Sequence, residues 1–257
     1  MSSGDAAQRL RDLLAKLESS VKPSRATPGD APAGMEPGTH LLLYSFMLWE
    51  SDPAAAAGSL SRLYAEIIDP NELRVALPDE ICAWCGAHDE IARERAARVR
   101  ACLNDIYRRE HGVSLARLAT ISKREVRDYL DSLEGVPAFV AARVSLLGFG
   151  SHAAPLDARL CRMLRGAGAM DGAGDLAESE RWLERQVRAS ESERIALLLE
   201  GWREHEPKPR ARPAAAPAGK RAGAPKPKQD APRPAPRAQP RSKSAKPGTP
   251  KRPKKDV

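Results

Sequence analysis

The sequence predicts an all-α body followed by a segment unable to fold on its own, and three observations carry that reading. Apolar residues recur at three- and four-residue intervals, as at Leu10, Leu13, Leu14 and Leu17, the period of an amphipathic helix. No stretch of any length alternates apolar and polar residues as a half-buried strand would, and no repeat is present. Residues 207–257 contain no Leu, Ile, Phe, Met, Trp or Tyr, so they cannot bury enough apolar surface to offset the entropy of ordering.

Taken in order, the first helix is predicted over Ala6–Leu17, and the Pro- and Gly-rich gap from Pro23 to Gly38 reads as a loop. Helices follow at His40–Trp49, Ala54–Ile67, Asn71–Leu77 and Pro78–Cys85. A longer one spans Asp89 to Arg109, with Ile91, Val99, Cys102, Leu103 and Ile106 turned inward. Ser114 and Ser122 stand where caps belong, the latter with Glu125 in the capping-box position. Further helices fit Lys123–Ser132, Pro137–Leu147, Asp157–Leu164, Ala177–Ala189 and Glu191–Glu204, about ten short helices in all.

The charge is split between the two parts. Residues 207–257 hold 9 Lys, 7 Arg, 2 Asp and 13 Pro, a net charge of +14. Residues 1–206 keep 26 basic and 32 acidic residues, a net charge of −6. The segment 207–257 is therefore expected to be an extended, disordered polycation, and such segments bind polyanions by counterion release with little sequence preference. Lys220, Arg221, Lys251, Arg252, Lys254 and Lys255 are its densest basic clusters and the expected nucleic-acid contacts. A solubilising appendage is the other reading of the same composition.

The longest apolar run, Leu41 to Trp49, is far short of the roughly 20 residues a membrane span needs, which argues against an integral membrane protein. The N-terminus lacks a basic region followed by an apolar core, so no secretory signal is expected. Four cysteines in 257 residues do not make a disulfide framework, and a reducing, cytoplasmic setting is expected. Cys82 and Cys85 form a CxxC with His88 close behind, but no second ligand pair follows at metal-site spacing. They read as small apolar residues of a helix, and neither metal nor cofactor is expected.

One segment carries a resemblance. Leu133 to Leu164, LEGVPAFVAARVSLLGFGSHAAPLDARLCRML, is similar to the helix-hairpin-helix plus aspartate signature of the endonuclease III superfamily of DNA glycosylases. Leu133, Gly135, Val136 and Ala141 match the hairpin, and Leu156-Asp157-Ala158-Arg159 matches the aspartate turn at the family spacing. The apolar pattern upstream, HLLLYSFMLWESDPAAAAGSLSRLY, resembles the family's early helix pair, so the likeness spans most of Gln8 to His205. The resemblance implies a two-lobed helical body with a cleft, Gly135 and Asp157 near its mouth, and the basic appendage trailing from it.

The resemblance also implies roles. Gly135, Val136, Ala138 and Phe139 would form the hairpin that grips a DNA phosphate through backbone amides. Asp157 would stabilise the cationic sugar formed as a flipped base leaves, or activate water. The bare sequence offers a second role for Asp157, the N-cap of the apolar helix that follows. Glu50 aligns with the residue that relatives push into the base stack.

This chain departs from the pattern as well. Phe139 stands where bifunctional relatives place a Schiff-base lysine, so lyase activity by that route is not expected. Pro137 replaces the second hairpin glycine and has no amide to give, though its ring suits the first position of a helix. Glu134 brings a negative charge to the hairpin, and the family's cluster-binding cysteines are missing after Asp157. His152 reads either as a cleft residue or as a solvated loop histidine.

Three functions follow. The first is a monofunctional DNA glycosylase of base-excision repair, a monomer that holds double-stranded DNA through its appendage and lies with the nucleoid. The second is a catalytically silent DNA-binding protein on the same scaffold. The third is a protein-interaction module tethered to nucleic acid.

Overall fold

The computed structural model describes residues 3–89, 91–171 and 174–204. The expected nucleic-acid contacts Lys220, Arg221, Lys251, Arg252, Lys254 and Lys255 lie outside those residues, as does the whole segment 207–257. Among the described residues there are eleven α-helices, two short 3₁₀ turns and no strand. They run α1 (Ser3–Ser20), α2 (Pro37–Leu48), α3 (Pro53–Glu66), α4 (Pro70–Val75), α5 (Pro78–Cys85), α6 (Ala92–Glu110), α7 (Lys123–Asp131), α8 (Ala138–Phe149), α9 (Ala158–Gly166), α10 (Leu176–Gln186) and α11 (Ser192–Arg203).

The helices from α2 to α5 each begin on a proline, earlier than apolar periodicity places three of them. The reason is local: proline lacks an amide that the first turn could not satisfy anyway, and its φ is already helical. Glu36, Asp52 and Asp69 precede the prolines of α2, α3 and α4 and accept the orphan amides behind them. Ser122 and Glu125 form the expected capping box on α7. Ser114 serves differently, accepting the Ala116 amide at 3.1 Å ahead of a 3₁₀ turn rather than capping a helix. Ile91 is the half-buried residue just before α6, not its first inner position, because the helix starts at Ala92.

Two apolar cores form. One gathers α2 to α8 around α2, whose residues from Thr39 to Leu48 are all buried. The other joins Leu10 and Leu17 of α1 to Leu156 and the inner faces of α9, α10 and α11. Ala142 and Leu146 of α8, with Ala153 and Ala196, form a small bridge between elements of the two. The two-lobed expectation thus corresponds to two cores packed within one compact unit.

The last helix, α11, locks into this arrangement through charge as well as apolar contact. Glu200 is buried and receives two hydrogen bonds from the buried Arg143 guanidinium of α8, at 2.7 and 3.0 Å. Arg143 also donates to Ser45 of α2 at 3.0 Å and to the Ala26 carbonyl at 2.8 Å, and lies over the Tyr44 ring. Burial among these groups pushes the Tyr44 hydroxyl up to about 12. Ser24 donates its amide to the Leu197 carbonyl at 2.8 Å, so the loop before α2 rides directly on α11.

That close approach explains the glycine in the last turn of α11. A Cβ at Gly201 would run into the Lys22 carbonyl oxygen. Gly201→Ala should therefore lower stability by about 2 kcal/mol, an overpacking cost that exceeds the roughly 1 kcal/mol alanine gains in a helix. Thermal melting checks this; an unchanged or raised Tm would mean that α11 does not pack on that loop.

Candidate functional site

The hairpin lies between α7 and α8. Gly135 adopts φ +78°, a left-handed conformation that side chains resist. A Cβ there would come within 3.1 Å of the Arg98 carbonyl oxygen, so glycine is needed for the hairpin to pack on α6. The resemblance assigns Gly135 to a close approach toward phosphate; within the body its close neighbour is α6. The Glu134 amide is taken by Asp105 at 2.9 Å and the Val136 amide by the Leu133 carbonyl at 3.3 Å. Glu134 itself is matched by Arg108 at 2.7 Å. Pro137 turns out to be the N-cap of α8 rather than its first residue, with extended backbone and no capping side chain. The start of α8 at Ala138 and Phe139 thus keeps uncapped amides, a feature that suits an anion. Ala138 is exposed, Val136 half-buried, and Phe139 buried.

Asp157 sits at the N-cap of α9 and is fully buried. The resemblance placed Asp157 near the mouth of a cleft; its side chain has no exposed surface. Its Oδ1 accepts the Leu160 amide at 2.9 Å and Arg203 Nη2 at 2.9 Å. Its Oδ2 accepts the Glu50 amide at 2.9 Å and Arg203 Nη1 at 2.8 Å. A carboxylate has about four lone-pair sites, and all four are occupied by protein donors. Arg203 comes from α11, is fully buried, and lies over the Phe139 ring with its guanidinium carbon 4.9 Å from the centroid. A cation from the last helix therefore stacks on the very ring that replaces the hairpin lysine.

Glu50 completes the cluster from the loop between α2 and α3. It is one of the described non-glycine residues with positive φ, at 55°. That conformation costs roughly 1–3 kcal/mol and persists only where surroundings demand it. Here the amide goes to Asp157, and Oε1 accepts the Ala158 amide at 2.6 Å, so Glu50 straps α2 to the start of α9. Burial, and then the nearby Asp157 charge, push its carboxyl above the ordinary range. Trp49 beside it is clamped by Arg95, which donates to the Trp49 carbonyl at 2.9 Å, and by Arg98 over its ring.

Several cationic side chains of the body are taken up by internal partners. Arg95 is buried, Arg93 pairs with Asp79 at 2.7 Å, and Arg98 pairs with Glu94 at 2.8 Å. Lys123 donates to the Gly150 carbonyl and Arg127 to Glu184. His152 is a structural residue, with ring nitrogens 2.7 Å from Ser192 Oγ and 3.1 Å from the Glu184 carbonyl. Cys85 is buried and donates to Met47 Sδ at 3.8 Å, while Cys82 is half-buried. Burial pushes both thiols up, away from the thiolate form.

No protein-family model matches the chain, and no curated protein sequence matches it either. Solved structures do. The chain is similar to endonuclease III in a trapped covalent DNA intermediate, the estranged-adenine complex, with a TM-score of 0.58 and 16% identity over 78% of this chain and 85% of that one. It is similar to a non-covalent endonuclease III–DNA complex with a TM-score of 0.55, 16% identity and the same coverage. The chain has the helix-hairpin-helix DNA glycosylase fold. Within that fold, Glu50 bonds to Asp157, and Arg203 links Asp157 to the Phe139 ring. The sequence reading missed Arg203. The signal was present: Glu200 and Arg203 share a helical face with Ala196 and Leu199, which places two charges on an apolar stripe.

The raised Glu50 carboxyl gives a pH prediction. A carboxyl whose folded value lies above its unfolded value costs stability when ionised, and that cost is relieved as pH falls through the folded value. Glu50→Gln keeps an oxygen for the Ala158 amide but removes the charge. Its Tm should equal or exceed that of the parent at pH 7, and the difference should vanish below about pH 4. A variant markedly less stable at pH 7 would show that the Glu50 charge is needed.

Proposed function

We propose that this protein is a non-enzymatic DNA-binding protein on a glycosylase scaffold, in which the carboxylate of the aspartate turn serves as a structural keystone. The observation that supports this reading best is the complete occupation of Asp157. A carboxylate that stabilises an oxocarbenium-like sugar must face it, and one that activates water must keep an acceptor site for that water. Asp157 has no exposed surface, and its acceptor sites are filled by Leu160, Glu50 and Arg203. A guanidinium at contact distance also neutralises the charge that catalysis would use. Phe139 supplies no amine for the alternative route.

DNA remains the partner that the charge distribution favours. Residues 207–257 carry +14 and the rest −6, so attraction to a phosphate backbone comes from the appendage. The uncapped start of α8 adds a local anion-friendly point on the body.

Incubation of the purified protein with duplexes bearing a panel of damaged bases, followed by hot alkali, tests the absence of chemistry. Intact strands are expected for every lesion; strand cleavage appearing only after alkali would mark a monofunctional glycosylase and overturn the reading. Asp157→Asn should act on the fold, leaving Arg203 buried without its counter-charge. The expected cost is about 3–5 kcal/mol, a fall in Tm of roughly 10 °C for a body of this size.

The appendage carries its own prediction. Deleting residues 207–257 should weaken duplex binding and remove most of its salt dependence. With about six phosphate contacts, the parent should lose roughly a thousandfold in affinity between 50 and 200 mM salt. Equal affinity and equal salt slope in the two proteins would refute the tether.

A further inference from the structure

Three arginines of the body without a carboxylate partner gather at one groove. Arg93, Arg109, Arg117 and Arg194 each pair with a carboxylate, on Asp79, Asp105, Glu110 and Glu18. Arg181 and Arg185 of α10 and Arg188 just beyond it have no carboxylate within ion-pair distance among the described residues. All three line one open groove of about 550 Å³, together with His152 and Glu184. Arg181 donates only to the Ala177 carbonyl of its own helix, at 3.2 Å.

The carboxylates nearby do not cancel this charge. Glu184 is held by Arg127 at 2.7 Å, and burial pushes the Glu180 carboxyl up to about 7, so near neutral pH it is only partly ionised. Arg181 and Arg185 stand four residues apart on one helix, where like charges repel. The position of Arg185 in the last turn of α10 recovers part of that through the helix dipole, but neither Arg181 nor Arg188 gains in the same way. Three guanidinium forks without a carboxylate partner around one groove match the oxygens of phosphate esters, which arginine takes bidentately. The walls are firm, since His152 is fixed through both ring nitrogens.

We propose that this groove is a second contact for the phosphodiester backbone of DNA, distinct from the hairpin loop. The proposal rests on the reading of the protein as a DNA binder. The hairpin loop lies at the start of α8 and the groove borders His152, just past its end. Between them runs α8, twelve residues and about 18 Å long, a length equal to the rise of roughly five base pairs. One duplex could then touch the body at two places, with the appendage binding less specifically.

The test uses the full-length protein and a 30-base-pair duplex, titrated by fluorescence anisotropy from 50 to 200 mM salt. The variant is Arg185→Gln/Arg188→Gln, which breaks no ion pair and should leave Tm unchanged. Losing two phosphate contacts should reduce the slope of log affinity against log salt by about 1.8. The control, Arg117→Gln/Arg194→Gln, removes the same charge from paired positions and should leave the slope within about 0.3 of the parent. An unchanged slope in the groove variant, or an equal change in the control, overturns the proposal and leaves an acidic polypeptide as the better ligand for the groove. A parent protein that binds no duplex at all would overturn the DNA reading and the groove together.

Discussion

One carboxylate and one guanidinium, both withdrawn from water, hold the two halves of this molecule in register. Asp157 starts α9 in the core built from α1, α9, α10 and α11, while its partner groups come from α11 and from the loop after α2. Arg203 reaches back toward the Leu48 and Ser51 carbonyls of that same loop, each at 3.4 Å, and its Nε is buried without a hydrogen bond. Taking such ions out of water costs several kcal/mol each, and the cost is recovered only when geometry and supporting hydrogen bonds are good. Here the carboxylate is saturated, while the guanidinium keeps one donor unpaired. The neighbouring Arg143–Glu200 pair repeats the arrangement one turn earlier on α11. Together they make α11 a bolt whose two charges are read by α8 and α9.

That bolt changes what the fold can do. The hairpin and aspartate turn are kept in place, and the Asp157 carboxylate faces a protein cation stacked on Phe139. Phe139 and Arg203 suit one another, because an aromatic ring offers its face to a guanidinium. Among the described residues, Arg95, Arg143 and Arg203 are the body arginines withdrawn from water, each beside an acidic partner.

Much of this was legible in the sequence, for identifiable reasons. Helix order could be read because the leucine spacing of α1 and the caps at Ser122 and Asp157 are local signals. The starts of α2, α3 and α4 were read late because periodicity sees apolar residues and not the prolines ahead of them. The hairpin and aspartate turn could be read as a motif. The fate of Asp157 could not, since it is set by Arg203, 46 positions away, and by an unusual backbone conformation at Glu50. The same holds for Gly135, whose neighbour Arg98 comes from a helix that the motif does not include. Local rules fixed the elements, and pairings distant in sequence decided the chemistry.

The keystone is measured most directly by a double-mutant cycle on Asp157 and Arg203, using Asp157→Asn, Arg203→Met and the double variant, each unfolded with denaturant. A buried pair of this kind should give a coupling of about 2 kcal/mol or more, with the double variant less damaged than the sum of the single ones. Additive effects, with coupling near zero, would contradict the account and return Asp157 to the pool of free carboxylates.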